Sequence, residues 1–278
     1  MFNTYSTNRM EHIKKRLVFY FYTFDGFKNN RAIQIHLKCL SHYSHVFDEA
    51  LFIISLDDVE NKQLIFNTEA ELLKTGFRDI HFKVHKNNGY CEAQPFWEEI
   101  VSKLDVLDGL TFFGHTKGIT NYQNENISKT SIDTWILGMY YLNLEFIKEV
   151  EQYMTFYSAR FYGAFLTDNR EWNGVNWLYT GTFFWLNCPM IYVDFQTGEK
   201  KKPTTYHQRG FAESFPGLIC EWKPYCPELS SHELRVLGGG YNAYCNTPDV
   251  MKFLLGNEED DFNLFKKDIL AEIGEVNQ

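Results

Sequence analysis

Leu110-Thr111-Phe112-Phe113-Gly114-His115-Thr116-Lys117-Gly118 is an apolar run that ends abruptly in a polar, cationic turn. Such a run reads as a buried strand whose C-terminal end opens into a loop. In open α/β sheets, ligands settle in the crevice outside those strand ends. A cation at Lys117 and a hydroxyl at Thr116, placed there, suit a phosphate. An ordinary surface loop after a strand is the plainer alternative.

Three strand-like segments precede this one, each followed by a helical pattern. Residues 17–22 have the length and the aromatic and β-branched content of a strand, and Thr23-Phe24-Asp25-Gly26 is a turn signal. From Asn30, Ile33, Leu37 and Leu40 fall on one helical face. Residues 50–55 read as a second strand, and 61–75 as a helix that Gly76 can stop. Residues 79–84 alternate as a third strand, and 92–104 read as a helix entered through Pro95. This alternation predicts an α/β domain with a mostly parallel central sheet flanked by helices.

Residues 1–15 are polar and expected to be loosely ordered, and 16–130 form the α/β half. Beyond it a long helix is expected from Ser131 to about Met154. Aromatic strands follow over 161–166 and 177–186, then Gly238-Gly239-Gly240 as a flexible or tight turn. The acidic stretch Glu258-Glu259-Asp260-Asp261 precedes a last helix. No repeat and no Pro/Ser-rich linker divides the chain, so 131–278 belong to the same single domain.

The 278 residues are 44% apolar and 17% aromatic, which excludes a disordered chain and allows a large core. A formal charge of −9 argues against nucleic-acid binding, though a small basic pocket for one nucleotide remains compatible. The six cysteines form neither a CxxC pair nor a zinc-type spacing. With no signal-peptide pattern and no membrane-length apolar run, a cytoplasmic location is expected. Peripheral attachment to a membrane stays open, although no segment makes a strong amphipathic anchor.

Three loops should gather at one sheet edge: 23–28, 87–92 and 114–120. In the first, Asp25 can accept hydrogen bonds from ribose or base, or serve its own turn, and Arg31 can meet a phosphate. No GxGxxG or Walker-type lysine loop is present, which removes the main support for dinucleotide oxidoreductases and P-loop enzymes. Asn87-Asn88-Gly89 permits a sharp turn that brings backbone close to a ligand, and equally a plain loop. His115 can hydrogen-bond a sugar or phosphate, or ligate a metal, although a single histidine is more often structural. In Tyr179-Thr180-Gly181-Thr182-Phe183-Phe184-Trp185, small residues adjoin three aromatics whose faces suit a sugar ring or a core. Alternation sends Phe183 and Trp185 to one face and Phe184 to the other. Glu213 is an isolated carboxylate among small and apolar residues, a setting that favours a general base. It can equally serve a helix N-terminus. Asp133 and Asp168 are carboxylates in weaker contexts.

Phe113-Gly114-His115-Thr116-Lys117-Gly118, then Trp135 and Met139, then residues 179–185 and Ala212-Glu213-Ser214-Phe215-Pro216-Gly217 follow one another in a telling order. Together they resemble a GT-A-type glycosyltransferase family of bacterial polysaccharide loci and large algal viruses, over roughly residues 17–219. In that family an HTKG turn precedes a GNFWW-like strand and an AE segment. Here Thr182 stands for the Asn and Phe184 for the first Trp. The resemblance implies a GT-A-like, Rossmann-like sheet, with residues 16–130 binding a nucleotide-sugar and 131–278 forming the acceptor side and a C-terminal extension. It implies transfer to a glycan or lipid-linked glycan by inverting single displacement, at the inner face of a membrane or in the cytoplasm, with retention as an open alternative. Thr23, Asp25, Arg31, Asn88, His115, Thr116 and Lys117 would hold the donor. Thr182, Phe184 and Trp185 would hold sugar or acceptor, and Glu213 would act as base. The acidic Asp-x-Asp of many GT-A enzymes is absent from the strand end. Mn²⁺ or Mg²⁺ is therefore an open question, and Lys117 is the substitute charge. An inactive carbohydrate-binding or assembly protein on the same fold is the alternative.

Overall fold

The computed structural model describes residues 12–119, 129–167, 175, 178–179, 181–206, 210–220 and 258–273. Four parallel strands form its centre: β1 (Lys15–Tyr22), β2 (Glu49–Leu56), β3 (Ile80–Lys86) and β4 (Leu110–His115). They are connected through α1 (Arg31–His42), α2 (Lys62–Leu73) and α3 (Ala93–Glu99). Asn30 and Asn61 start the first two helices, their side chains accepting the amides of Ile33 at 3.2 Å and Leu64 at 3.0 Å. β4 is buried along its whole length and β1 nearly so, as strands covered on both faces must be. β3 lies at the sheet edge and alternates between half-buried and exposed.

The second half completes this sheet. After α4 (Lys129–Leu144) and α5 (Ile147–Thr155) come β5 (Phe161–Gly163), β6 (Leu166–Thr167), β7 (Leu178–Tyr179) and β8 (Phe184–Asn187). β8 runs antiparallel to β4 and pairs β5, giving a six-stranded sheet in the order β3-β2-β1-β4-β8-β5. β6 and β7 make a separate two-stranded ribbon. Helices α6 (Cys188–Thr197), α7 (Phe211–Ile219) and α8 (Glu259–Ala271) complete the described layers. No helix among the described residues is long and apolar enough to cross a membrane.

Several boundaries differ from the sequence reading. The long helix expected over 131–154 is two helices, broken at Glu145-Phe146. α4 is buried on all sides from Ser131 to Leu144, whereas α5 buries only Val150 and Met154. The helix expected over 92–104 ends at Glu99 and continues as a 3-10 turn. The strand expected over 177–186 is two pieces hinged at Gly181-Thr182. The loosely ordered start expected for 1–15 does not extend to Lys15, which opens β1 with its amide bonded to Asp48 at 2.7 Å. Residues 1–11 and Gly238–Gly240 lie outside the described residues.

Aromatic rings fill the core on both sides of the sheet. Phe183 packs edge-on against Phe19 and Phe112, and Trp185 stacks on Phe47 with centroids 5.5 Å apart. Phe184 faces the other way, against Phe96, Phe161 and Tyr179. The alternation is as expected, but the sugar-binding role is not supported. Phe184 and Trp185 are completely buried, and the Trp185 indole donates to the Asn143 carbonyl at 2.9 Å. Both rings hold the interior together and present no face to a sugar.

Candidate functional site

β1 and β4 are neighbours whose connections leave in opposite directions, β1 toward β2 and β4 toward β8. The crevice outside their C-terminal ends is the switch point of the sheet. The turn after β4 is fastened there by three bonds. The Thr116 amide donates to the Tyr20 carbonyl at 3.0 Å, and Thr116 Oγ1 accepts the Tyr22 amide at 2.9 Å. The hydroxyl expected at a phosphate therefore joins β4 to β1. The Lys117 carbonyl meets Nε2 of His36 at 2.9 Å. A carbonyl only accepts, so Nε2 carries the proton and Nδ1 accepts from the Tyr140 hydroxyl at 2.8 Å. Burial pushes the His36 pKa down to about 3, with the charge of His115 adding to the effect and the Lys117 carbonyl opposing it. His36 is thus a neutral peg under the turn. Gly118 closes the turn at φ +85°, where a Cβ would stand 3.0 Å from Ile132 and Ile136.

Two carboxylates meet basic side chains at this edge. Lys117 Nζ donates to Oε1 of Glu213, on the first turn of α7, at 3.1 Å, and lies 5.7 Å from the Trp135 ring centroid. The same Glu213 oxygen accepts the Gly181 amide at 3.1 Å. Gly181 has φ +101°, and a Cβ there would come within 2.8 Å of Met139 Sδ, so only glycine lets this amide sit where it does. The second pair is His115 Nδ1 with Glu92 Oε2, 3.7 Å apart, an ion-pair contact longer than a hydrogen bond. Burial alone would raise the Glu92 pKa, but the charges of His115 and Lys117 hold it at about 2. Glu92 occupies the N-cap position of α3 without capping it. Cys91 just before it has φ +47°, a left-handed conformation uncommon for a side-chain-bearing residue.

Two buried polar atoms beyond the β4–β8 pairing have no hydrogen-bond partner: Nε2 of His115 and Oγ1 of Thr182. Thr182 also has positive φ, +58°. β4 and β8 pair as far as Phe113 and Phe184, so His115 and Thr182 each lie two residues past the same end of that pairing.

The remaining donor-site candidates are dispersed. Thr23 is buried, its hydroxyl bonded to that of Thr68 at 2.9 Å. Asp25 is exposed in its own turn and lines an open cleft of ≈280 Å³ with Asn29, Asn61 and Asn67. Arg31 Nε is committed to Asp133 at 2.8 Å. Burial outweighs the Arg31 charge and raises the Asp133 pKa. Asn88 bonds within its own loop, to the Tyr90 amide and to Gln94. Asp168 lies outside the described residues. The structure thus gathers His115, Thr116, Lys117, Thr182 and Glu213, adds Gly181, one of the small residues beside the aromatic run, and brings in Glu92 and His36, which carried no site role in the sequence.

No protein-family model, curated protein or solved structure matches the chain. The functional reading therefore rests on the chemistry of this strand end. Among the described residues no group of three or more His, Cys, Asp or Glu side chains is placed to hold a metal ion. His115 and Glu92 supply two donors beside an ammonium, whereas Mg²⁺ asks for a near-octahedral, oxygen-rich set. The described residues at this strand end do not fit Mn²⁺ or Mg²⁺.

Proposed function

We propose that this chain transfers a glycosyl group from a nucleoside-diphosphate sugar to a hydroxyl of a glycan or lipid-linked glycan, using a GT-A-like version of its α/β sheet. The observation that carries this reading is Lys117, a cation about one quarter exposed. It stands at the end of a central strand beside the switch point, steered by Glu213 and the face of Trp135. In a single displacement, the acceptor oxygen forms its bond to the anomeric carbon as the bond from that carbon to the diphosphate breaks. The electron pair departs with the diphosphate, and the configuration inverts. Negative charge grows on the leaving oxygen, where a preplaced ammonium is most effective. Glu213, with one oxygen already shared by an ammonium and an amide, fits a residue that holds Lys117 in place better than one that takes a proton.

A thermal-shift series against nucleoside diphosphates and their sugar conjugates tests the reading, since a ligand of the native state raises the melting temperature. The wild type should be stabilised by at least one such conjugate. Lys117→Met combined with Glu213→Gln leaves no carboxylate buried and unpaired, and should abolish that shift. An equal shift in the double variant, or none in the wild type, would contradict the assignment.

A further inference from the structure

His115 is nine-tenths buried, yet Nε2 has no partner while Nδ1 faces the Glu92 carboxylate. Past the same end of the β4–β8 pairing, Thr182 buries a hydroxyl that is also without a partner. Buried polar atoms are nearly always bonded, and each exception calls for an explanation such as a water, an ion or a catalytic role. Here two exceptions lie past one end of the β4–β8 pairing: Thr182 itself has positive φ, and His115 faces Glu92, which follows Cys91, also of positive φ. Strained backbone of this kind is held in place only where the surroundings determine it.

From this placement we infer that Glu92 positions His115 as the general base of the proposed transfer, and that His115 Nε2 receives the acceptor hydroxyl. The inference rests on the glycosyl-transfer reading. An ionised carboxylate only accepts hydrogen bonds, so it selects the imidazole tautomer with the proton on Nδ1 and the lone pair on Nε2. The acceptor hydroxyl donates to that lone pair. As its oxygen bonds to the anomeric carbon, the O–H bond breaks and its proton moves to Nε2. The resulting imidazolium is balanced by Glu92, while the diphosphate leaves with the electron pair from the broken bond. The 3.7 Å separation of His115 and Glu92 is that of a resting site, since such contacts commonly shorten when substrate binds. Lys117, Tyr20, Cys91 and neutral His36 are titratable groups felt around this pair, and Glu213 partners Lys117. Lys117 is thereby left to the leaving group and His115 to the acceptor.

The ring nitrogens of His115 report the tautomer without any substrate. Long-range nitrogen–proton spectra at mildly alkaline pH, with the His115 signals identified by their loss in His115→Gln, should show the Nδ1–H form in the wild type. Glu92→Leu should lose that preference, and Glu92→Asp should keep it. Turnover should fall by ~10²-fold or more in His115→Gln and Glu92→Leu, the usual scale for removing a general base. Glu92→Asp should recover part of it. An Nε2–H tautomer in the wild type, or a tautomer unmoved by Glu92→Leu, would overturn the inference even if transfer is observed. The expected tautomer with no turnover on any sugar nucleotide would uphold the Glu92–His115 pairing and overturn the base role with the transferase reading.

Discussion

Arg16, at the start of β1, bonds Glu49 and both the side chain and carbonyl of Asp108, while His115, at the end of β4, keeps a ring nitrogen unbonded. The contrast extends along both edges of the sheet. At the N-terminal edge Lys14 pairs with Glu49 at 2.8 Å, and Lys15 with Glu151 at 2.7 Å. Of the four buried side-chain atoms without a partner among the described residues, three belong to His85, His115 and Thr182, all at the opposite edge. The fourth, Asp133 Oδ1, is on α4. An edge that only has to hold the fold together satisfies its own groups. An edge that leaves buried donors and acceptors unmatched holds them for something else.

The interior shared by the two edges should give the largest response. Trp185→Ala removes a fully buried ring and leaves the Asn143 carbonyl without its donor. A loss of roughly 3–5 kcal/mol in denaturant unfolding is expected, typical of a large aromatic deleted from a core. Next comes Lys117→Met, which strands the Glu213 carboxylate. A cost of about 3 kcal/mol is expected, at the low end for a broken buried pair because Lys117 is partly exposed. Adding Glu213→Gln should restore most of that stability but not the response to a sugar nucleotide.

Acid should act through His36. The folded state holds it neutral down to about pH 3, while the unfolded chain takes up a proton near 6.5, so folding is progressively penalised as pH falls between those values. The slope is about 1.4 kcal/mol per pH unit, hence roughly 2 kcal/mol between pH 6.5 and 5. His36→Gln should flatten that part of the curve. Glu92 acts lower. Its depressed pKa contributes stability that is present above its ordinary value of 4.5 and lost as pH falls toward about 2. The smallest effect is expected at the satisfied edge. Arg16→Met should cost about 1 kcal/mol, because Glu49 keeps Lys14 and Asp108 is largely exposed. It should leave ligand-induced stabilisation unchanged, and a loss of that response would erase the distinction between the edges.

The parallel half of the fold was legible because its strands are continuous apolar runs with punctuated ends, as 110–115 and 50–55 show. The turn at His115–Lys117 was legible for the same reason, since a cation after a buried strand is conspicuous. The aromatic run at 183–185 misled, because periodicity places rings on faces but does not say which faces are covered. Phe96 and Phe161 over Phe184, and Phe47 and the Asn143 carbonyl at Trp185, all distant in sequence, decide that. Glu92 escaped notice because it reads locally as a helix opener, and its meaning comes from a strand that pairs it with His115 across the sheet. Gly181 likewise matters through contacts with Glu213 and Met139 that only the folded chain brings together.

The most direct test of the C-terminal edge as a glycosyl-transfer site is release of nucleoside diphosphate from sugar nucleotides, with glycan acceptors or water as the sink. It should be followed in the wild type, in Arg16→Met and in the Lys117→Met/Glu213→Gln double variant. Release by the first two and its loss in the third is the predicted result. Equal release by all three, or no release from any sugar nucleotide, would contradict it.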